Sequence, residues 1–266
     1  MAIVNCNEDS FYAPSRASRD KAVEMALAAE NDGASIIDFG SESTRPGSSY
    51  MGTEEELERL IPVITAFRKC SPLPVSVDTR KAAVARSALE AGADIINDIS
   101  SLEDDPDMAA TCAGHGAVLV LMHRKGIPLT MQEDPQYKDV ISEIRSFFRS
   151  ALERAFSAGI PAEKIILDPG FGFGKTTENN LEILRHFARL AKIRGRVYPM
   201  ISGVSRKNFI GEAVGGSALH DASARLPGTL GANGAAIMGG AAIVRVHDVK
   251  EHVDLAKMLF ALGQKN

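Results

Sequence analysis

Eight short apolar runs, rich in β-branched residues, each stop at a polar residue and give way to a stretch with helical spacing. The runs are Ile3-Val4 ending at Asn5, Ile36-Ile37 at Asp38, Val75-Ser76-Val77 at Asp78, Ile95-Ile96 at Asn97, Val118 to Met122 at His123, Ile165 to Leu167 at Asp168, Met200 to Val204 at Ser205, and Ile243-Val244 at Arg245. A strand with one face in water alternates apolar and polar residues, whereas a continuous apolar run reads as a strand of a parallel sheet covered by helices on both faces. Eight βα units in about 250 residues predict one α/β domain over 1–266, a (βα)8 TIM barrel whose reacting groups sit where the strands end. Those ends carry Asp, Asn, Arg and His side chains, which predicts a polar site at one mouth.

The intervening helices can be placed from caps and periodicity. Ser18 or Asp20 can start a helix that runs to Asp32 and stops at Gly33. Thr53-Glu54-Glu55-Glu56 has the spacing of a capping box, before a helix to Lys69. Further helices are expected over 81–90, 107–113, 140–158, 177–190, 221–238 and 250–262. Two connections are long, 7–17 and 41–52, and both leave the end of a predicted strand, where long loops serve as lids.

Composition narrows the function. A hydrophobic content of 45% with 24% charged residues is ordinary globular usage. The net charge of −4 argues against nucleic acid or an anionic membrane as the bulk partner. No apolar stretch reaches the roughly 18 residues of a membrane span, and the N-terminus enters the first strand with no leader-like pattern, so a cytoplasmic location is expected. Cys6, Cys70 and Cys112 have no metal-ligand or CxxC spacing. Cys6 is expected to be a buried small hydrophobe. His115, His123 and His220 lack ligand spacing and are read as packing or surface residues. The glycine-rich stretch 170–176 ends in Gly-Lys-Thr, yet the first glycine of a P-loop falls on Pro169, so that reading fails.

Taken in order, Asn5-Cys-Asn-Glu-Asp-Ser-Phe11, Gly40-Ser-Glu-Ser-Thr-Arg-Pro-Gly47, Val77-Asp78-Thr79, Ile96-Asn97-Asp98, Met122-His123, Asp168-Pro-Gly-Phe-Gly-Phe-Gly-Lys175, Ser205-Arg-Lys207 and Arg245-Val-His-Asp248 resemble the dihydropteroate synthase family over nearly the whole chain. The resemblance implies the same barrel and a transferase that joins 6-hydroxymethyl-7,8-dihydropterin diphosphate to 4-aminobenzoate, giving 7,8-dihydropteroate and diphosphate. It also implies a target of sulfonamides, which compete as aminobenzoate mimics and to which altered sensitivity is expected here, a homodimer formed through late helices, and an N-terminal hairpin that has no counterpart before Ile3.

On that resemblance, the pterin edge is read by Asp168, Asn97 and Lys207, with Asp78 facing the ring and Met122, Phe173 and the Arg245 guanidinium forming the walls of the slot. Asp78, Lys207, Arg245 and His247 are the expected catalytic residues. Diphosphate falls to Asn5, Thr44, Arg45, Arg245 and His247, and Arg245 and His247 share a face because they are two residues apart on a strand. Asn5 is the expected contact to a magnesium ion, Mg2+, held mainly by diphosphate oxygens. Phe11, Ser205, Arg206 and Asn208 are assigned to 4-aminobenzoate. The implied route is dissociative: diphosphate leaves, and the amine attacks the resulting pterin methylene cation behind closed lids.

The chain departs from the family pattern in three places. Asn7 and Glu8 stand where the family has Thr-Pro, residues 12–16 differ from its Asp-Gly-Gly segment, and Asn208 replaces the common Ser. Altered lids suit a pterin-binding paralogue without catalysis as the alternative. A corrinoid-linked methyltetrahydrofolate methyltransferase is a third reading, disfavoured by Arg45, Arg245 and His247, which it does not need.

Overall fold

The computed structural model describes residues 1–6, 16–41, 51–126 and 130–263. Strands and helices alternate: β1 Ala2–Asn5, α1 Arg16–Asn31, β2 Ile37–Gly40, α2 Thr53–Arg68, β3 Val75–Asp78, α3 Ala82–Glu90, β4 Ile95–Asp98, α4 Met108–His115, β5 Val118–Met122, α5 Val140–Ser157 and β6 Ile165–Asp168. After β6 come α6 Thr177–Arg185, α7 Ala188–Ala191, a short antiparallel ribbon of β7 Lys192–Ile193 and β8 Arg196–Val197, then β9 Ile201–Ser202, α8 Asn208–Val214, α9 Leu226–Met238, β10 Ile243–Val244 and α10 Val249–Gly263.

Strands β1 to β6 pair in sequence order, and β9 pairs with β10, all in parallel. Bridges Leu167–Met200 and Ala2–Val246 join the two sheets at both edges, closing the ring of eight barrel strands. The barrel is therefore the (βα)8 fold expected from the apolar runs.

Side-chain parity explains where the core and the site lie. On β5, Leu119 and Leu121 pack toward the helices, while Val118 and Val120 belong to a separate cluster with Ile36, Ile95, Ile166, Ile201 and Ile243. That second cluster fills the barrel interior, because alternate residues of a strand face opposite sides. Two residues further along each of five strands, the inward position becomes Asp38, Asn97, Met122, Asp168 and Arg245. The same parity turns Asn5 and Asp78 inward, since Val4 and Val77 belong to the helix-facing core. The end of the apolar layer is thus the floor of a polar mouth.

Several local expectations change. Helix α2 begins at Thr53 with Gly52 at the cap position and no side-chain cap. Glu56, expected to reach back in a capping box, is fully buried and pairs with Lys81 at 2.5 Å. The helix expected over 177–190 divides into α6 and α7. Helix α9 starts at Leu226 rather than Asp221, with a proline at its first turn, where the missing N–H costs nothing. Helix α8 and the β7–β8 ribbon were not expected; both are too short to show a period.

Candidate active site

The floor of the mouth is organised by one arginine. Arg245 donates from Nε to Asp38 Oδ2 at 2.7 Å and from Nη2 to Asp78 Oδ2 at 3.0 Å. Burial works against the guanidinium charge, but Asp38 and Asp78 outweigh it and hold Arg245 above its ordinary range. Gly40 keeps this corner open, since a Cβ there would stand 3.3 Å from Asp78 Cβ. Arg245 is thereby fixed and permanently charged, as a stacking or anion-facing group must be. Asp38, which no motif had marked, carries half of that task, and its buried Oδ1 has no hydrogen-bond partner among the described residues.

Across the mouth, Asp168 accepts the Gly170 N–H at 2.7 Å through Oδ1. Burial raises its carboxyl above the usual range, and Lys207, the Gly170 N–H and Arg245 pull it part of the way back. Lys207 donates to the Phe171 carbonyl and holds its ammonium 4.5 Å from the centre of the Phe173 ring. Burial lowers Lys207 to about 8 against the attraction of Asp168. Asn97 and Met122 are both buried inward at the ends of β4 and β5. A carboxylate and an ammonium meet here beside an aromatic face, with a buried amide at the inward end of β4, which suits a flat heterocycle with donors and acceptors along one edge.

The loop after β6 is shaped by glycines and a buried lysine. Gly170 has φ 65°, and a Cβ on it would meet the His123 carbonyl oxygen at 1.9 Å, so only glycine fits beneath β5. Lys175 Nζ lies 2.9 Å from His123 Nδ1 and donates to the carbonyls of Gly170 at 2.8 Å, Phe173 at 3.1 Å and His123 at 3.2 Å. Burial, then the charge of Lys175, keep His123 well below its normal range, and burial likewise holds Lys175 well below the ordinary lysine range against the attraction of Asp168. The lysine that imitates a P-loop is a structural tie, and His123 is a buried packing residue, as its sequence context implied.

On the far rim, the Ser205 hydroxyl lies 3.0 Å from His247 Nδ1 and accepts the His247 backbone N–H at 3.2 Å. Arg206 has φ 57° and pairs with Asp248. Asn208 is exposed at the start of α8, and its Oδ1 accepts from Arg225 Nη1 at 2.7 Å. Asn5 is half-buried at the end of β1. Cys6 beside it is buried, with its thiol pushed up to about 12, which makes it an inert hydrophobe. Phe11, Thr44 and Arg45 lie outside the described residues.

Known proteins resemble this chain in both sequence and fold. The family model described as pterin binding enzyme matches residues 1–247. A dihydropteroate synthase of Synechocystis is 43% identical over 263 residues, 98% of this chain and 89% of the relative. The chain belongs to the dihydropteroate synthase family. Among solved dihydropteroate synthases, that of Yersinia pestis with a sulfonamide drug complex superposes with a TM-score of 0.91 at 38% identity, covering 98% of this chain and 93% of the other. The Xanthomonas albilineans dihydropteroate synthase with 4-aminobenzoic acid gives 0.90 at 37%, covering 100% and 93%. The barrel closed by β9 and β10 is thus the architecture of dihydropteroate synthases.

Proposed function

We propose that this chain is a transferase that condenses 6-hydroxymethyl-7,8-dihydropterin diphosphate with 4-aminobenzoate, forming 7,8-dihydropteroate and diphosphate. The observation that carries the reading is the meeting of Asp168 and Lys207 with a charge-fixed Arg245, at the mouth where Asn97 also ends a strand, within a family of dihydropteroate synthases. Asp168 accepts the pterin amino and N3 protons, Asn97 supplies the complementary amide, and Lys207 donates to the ring once it leaves the Phe171 carbonyl. Met122 and Phe173 enclose the ring. Asp78, alongside Arg245, stabilises positive charge as it grows on the pterin methylene.

Diphosphate is received by Arg245 and His247, with Asn5, Thr44 and Arg45 completing that end. The Ser205 hydroxyl orients the His247 ring toward the leaving group. A magnesium ion fits the oxygen donors at this end, the half-buried Asn5 amide and the Asp38 Oδ1, which has no partner among the described residues, being of the hard type it prefers. When bound, the ion neutralises diphosphate charge and so eases its departure. Phe11, Ser205, Arg206 and Asn208 form the 4-aminobenzoate side, where a sulfonamide competes.

The chain acts as one domain, and the core cluster that runs from Ala2 to Val249 supports this. It acts in the cytoplasm; no described helix is long and apolar enough to cross a membrane. It pairs with a second copy through exposed Met238, Met258, Phe260 and Leu262 on α9 and α10.

The test measures diphosphate release from the pterin substrate with and without 4-aminobenzoate. Aminobenzoate-dependent release with dihydropteroate formed is the expected result. Pterin binding without turnover would instead identify a paralogue that has lost catalysis.

A further inference from the structure

Behind the Ser205–Lys207 turn lies a cation that the reaction above does not use. Arg225 is 7% exposed, and among the described residues no carboxylate lies within ion-pair distance of it. Its donors go to neutral oxygens: Nε to Ala218 O at 2.8 Å, Nη2 to Leu219 O at 3.1 Å, and Nη1 to both Arg206 O at 3.0 Å and Asn208 Oδ1 at 2.7 Å. A buried charge of this kind persists only where its donors are satisfied and its position serves a purpose. The fold makes room for it, because a Cβ on Gly211 would stand 2.9 Å from Arg225 Nε.

Two effects converge on one turn. The Arg206 N–H donates to Thr229 Oγ1 at 3.2 Å, that hydroxyl donates to Arg225 O at 2.9 Å, and the Arg206 carbonyl accepts from the Arg225 guanidinium. Both peptide groups flanking Arg206 are therefore held from a single segment, which keeps a non-glycine residue at φ 57°. The amide of Asn208 is fixed as well. Arginine has donors and no acceptor, so only Oδ1 can face it, and the NH2 group must point the other way. That NH2 makes no hydrogen bond among the described residues, and Asn208 is an exposed residue.

Resting on the reading of the site given above, we infer that Arg225 is a positioning residue for the carboxylate end of the second substrate: it orients Asn208 so that the amide NH2 donates to the carboxylate. A serine hydroxyl would rotate freely, whereas the direction of this amide is set by a buried guanidinium.

Calorimetric titration of the full chain with pteroate and with 6-hydroxymethylpterin tests this, since the two share a ring and only pteroate has the carboxylate end. Asn208→Asp keeps an oxygen for Arg225 and replaces the NH2 with an anionic oxygen. It should weaken pteroate by about tenfold or more and leave hydroxymethylpterin within about twofold, with no loss of thermal stability. Arg225→Lys should weaken pteroate selectively in the native background and have no such effect in an Asn208→Ala background. Equal losses for both ligands, or additive effects of the two substitutions, overturn the inference while leaving the functional reading intact. If the unmodified chain binds neither ligand, both fall together.

Discussion

Arg245 and Asp38 are 207 residues apart in sequence and meet at 2.7 Å, where the last barrel strand faces the second. This contact turns the closing strand of the barrel into part of its binding floor. Asp38 is fully buried and Asp78 half-buried, so Arg245 has little freedom to seek another partner.

Removing Asp38 should therefore damage both stability and binding. Asp38→Ala leaves Arg245 with Asp78 alone, and breaking a buried pair costs about 3 kcal/mol. Urea denaturation should show that loss, and titration with diphosphate should show weaker binding. An unchanged midpoint together with unchanged affinity would mean that Asp38 does not set Arg245.

Asp168→Asn keeps the shape of the pterin edge and removes its charge. One amide oxygen then faces two donors, and an NH2 replaces the other acceptor. Pterin affinity should fall about a hundredfold, some 3 kcal/mol, while the circular dichroism spectrum stays the same. Tight pterin binding by this variant would move the recognition edge elsewhere.

Lys207 gives the site an alkaline limit. Its value near 8 lies below the ordinary lysine range, so the ammonium is present below that pH and disappears as the pH rises through it. Pterin affinity should hold steady between about pH 6 and 7.5 and weaken above 8. Lys207→Arg stays charged and should lose this limb even if its affinity is lower throughout. Persistence of the limb in the arginine variant would assign it to another group.

Glu56 and Lys81 form a buried pair that joins α2 to the segment entering α3. Lys81→Met strands the carboxylate in the core and should cost about 3–5 kcal/mol. Adding Glu56→Leu should recover most of that loss, because an apolar pair of similar volume needs no charge compensation. If the double substitution is no better than the single one, lysine packing matters more than charge.

Much of this was legible in the sequence, for identifiable reasons. Every barrel strand ends its apolar run at the residue that the structure brings to the mouth or next to it, because parallel strands are buried on both faces and their ends are not. Asp38 was marked as the end of its apolar run but given no role, because no motif surrounds it; counting inward parity from Ile36 places it on the floor beside Arg245. Arg225 was invisible for a different reason: its partners are backbone oxygens of segments brought together only by folding. The capping box at Thr53 failed because a tertiary partner, Lys81, competes for Glu56 more strongly than a local N–H does.

The ring of strands is not laced evenly. Full ladders run from β1 to β6, but Leu167–Met200 and Ala2–Val246 are single bridges, and the pair β9–β10 is held between them. Asp168 stands on one side of the first seam, with Lys207 just beyond β9; Arg245 follows β10, with Asp38 across the second seam. A pterin gripped from both sides then works as a keystone, tying the loosest arc of the ring to the rest. Ligand affinity and closure of the barrel draw on the same free energy, so amide exchange should slow most at these two seams when the pterin is bound.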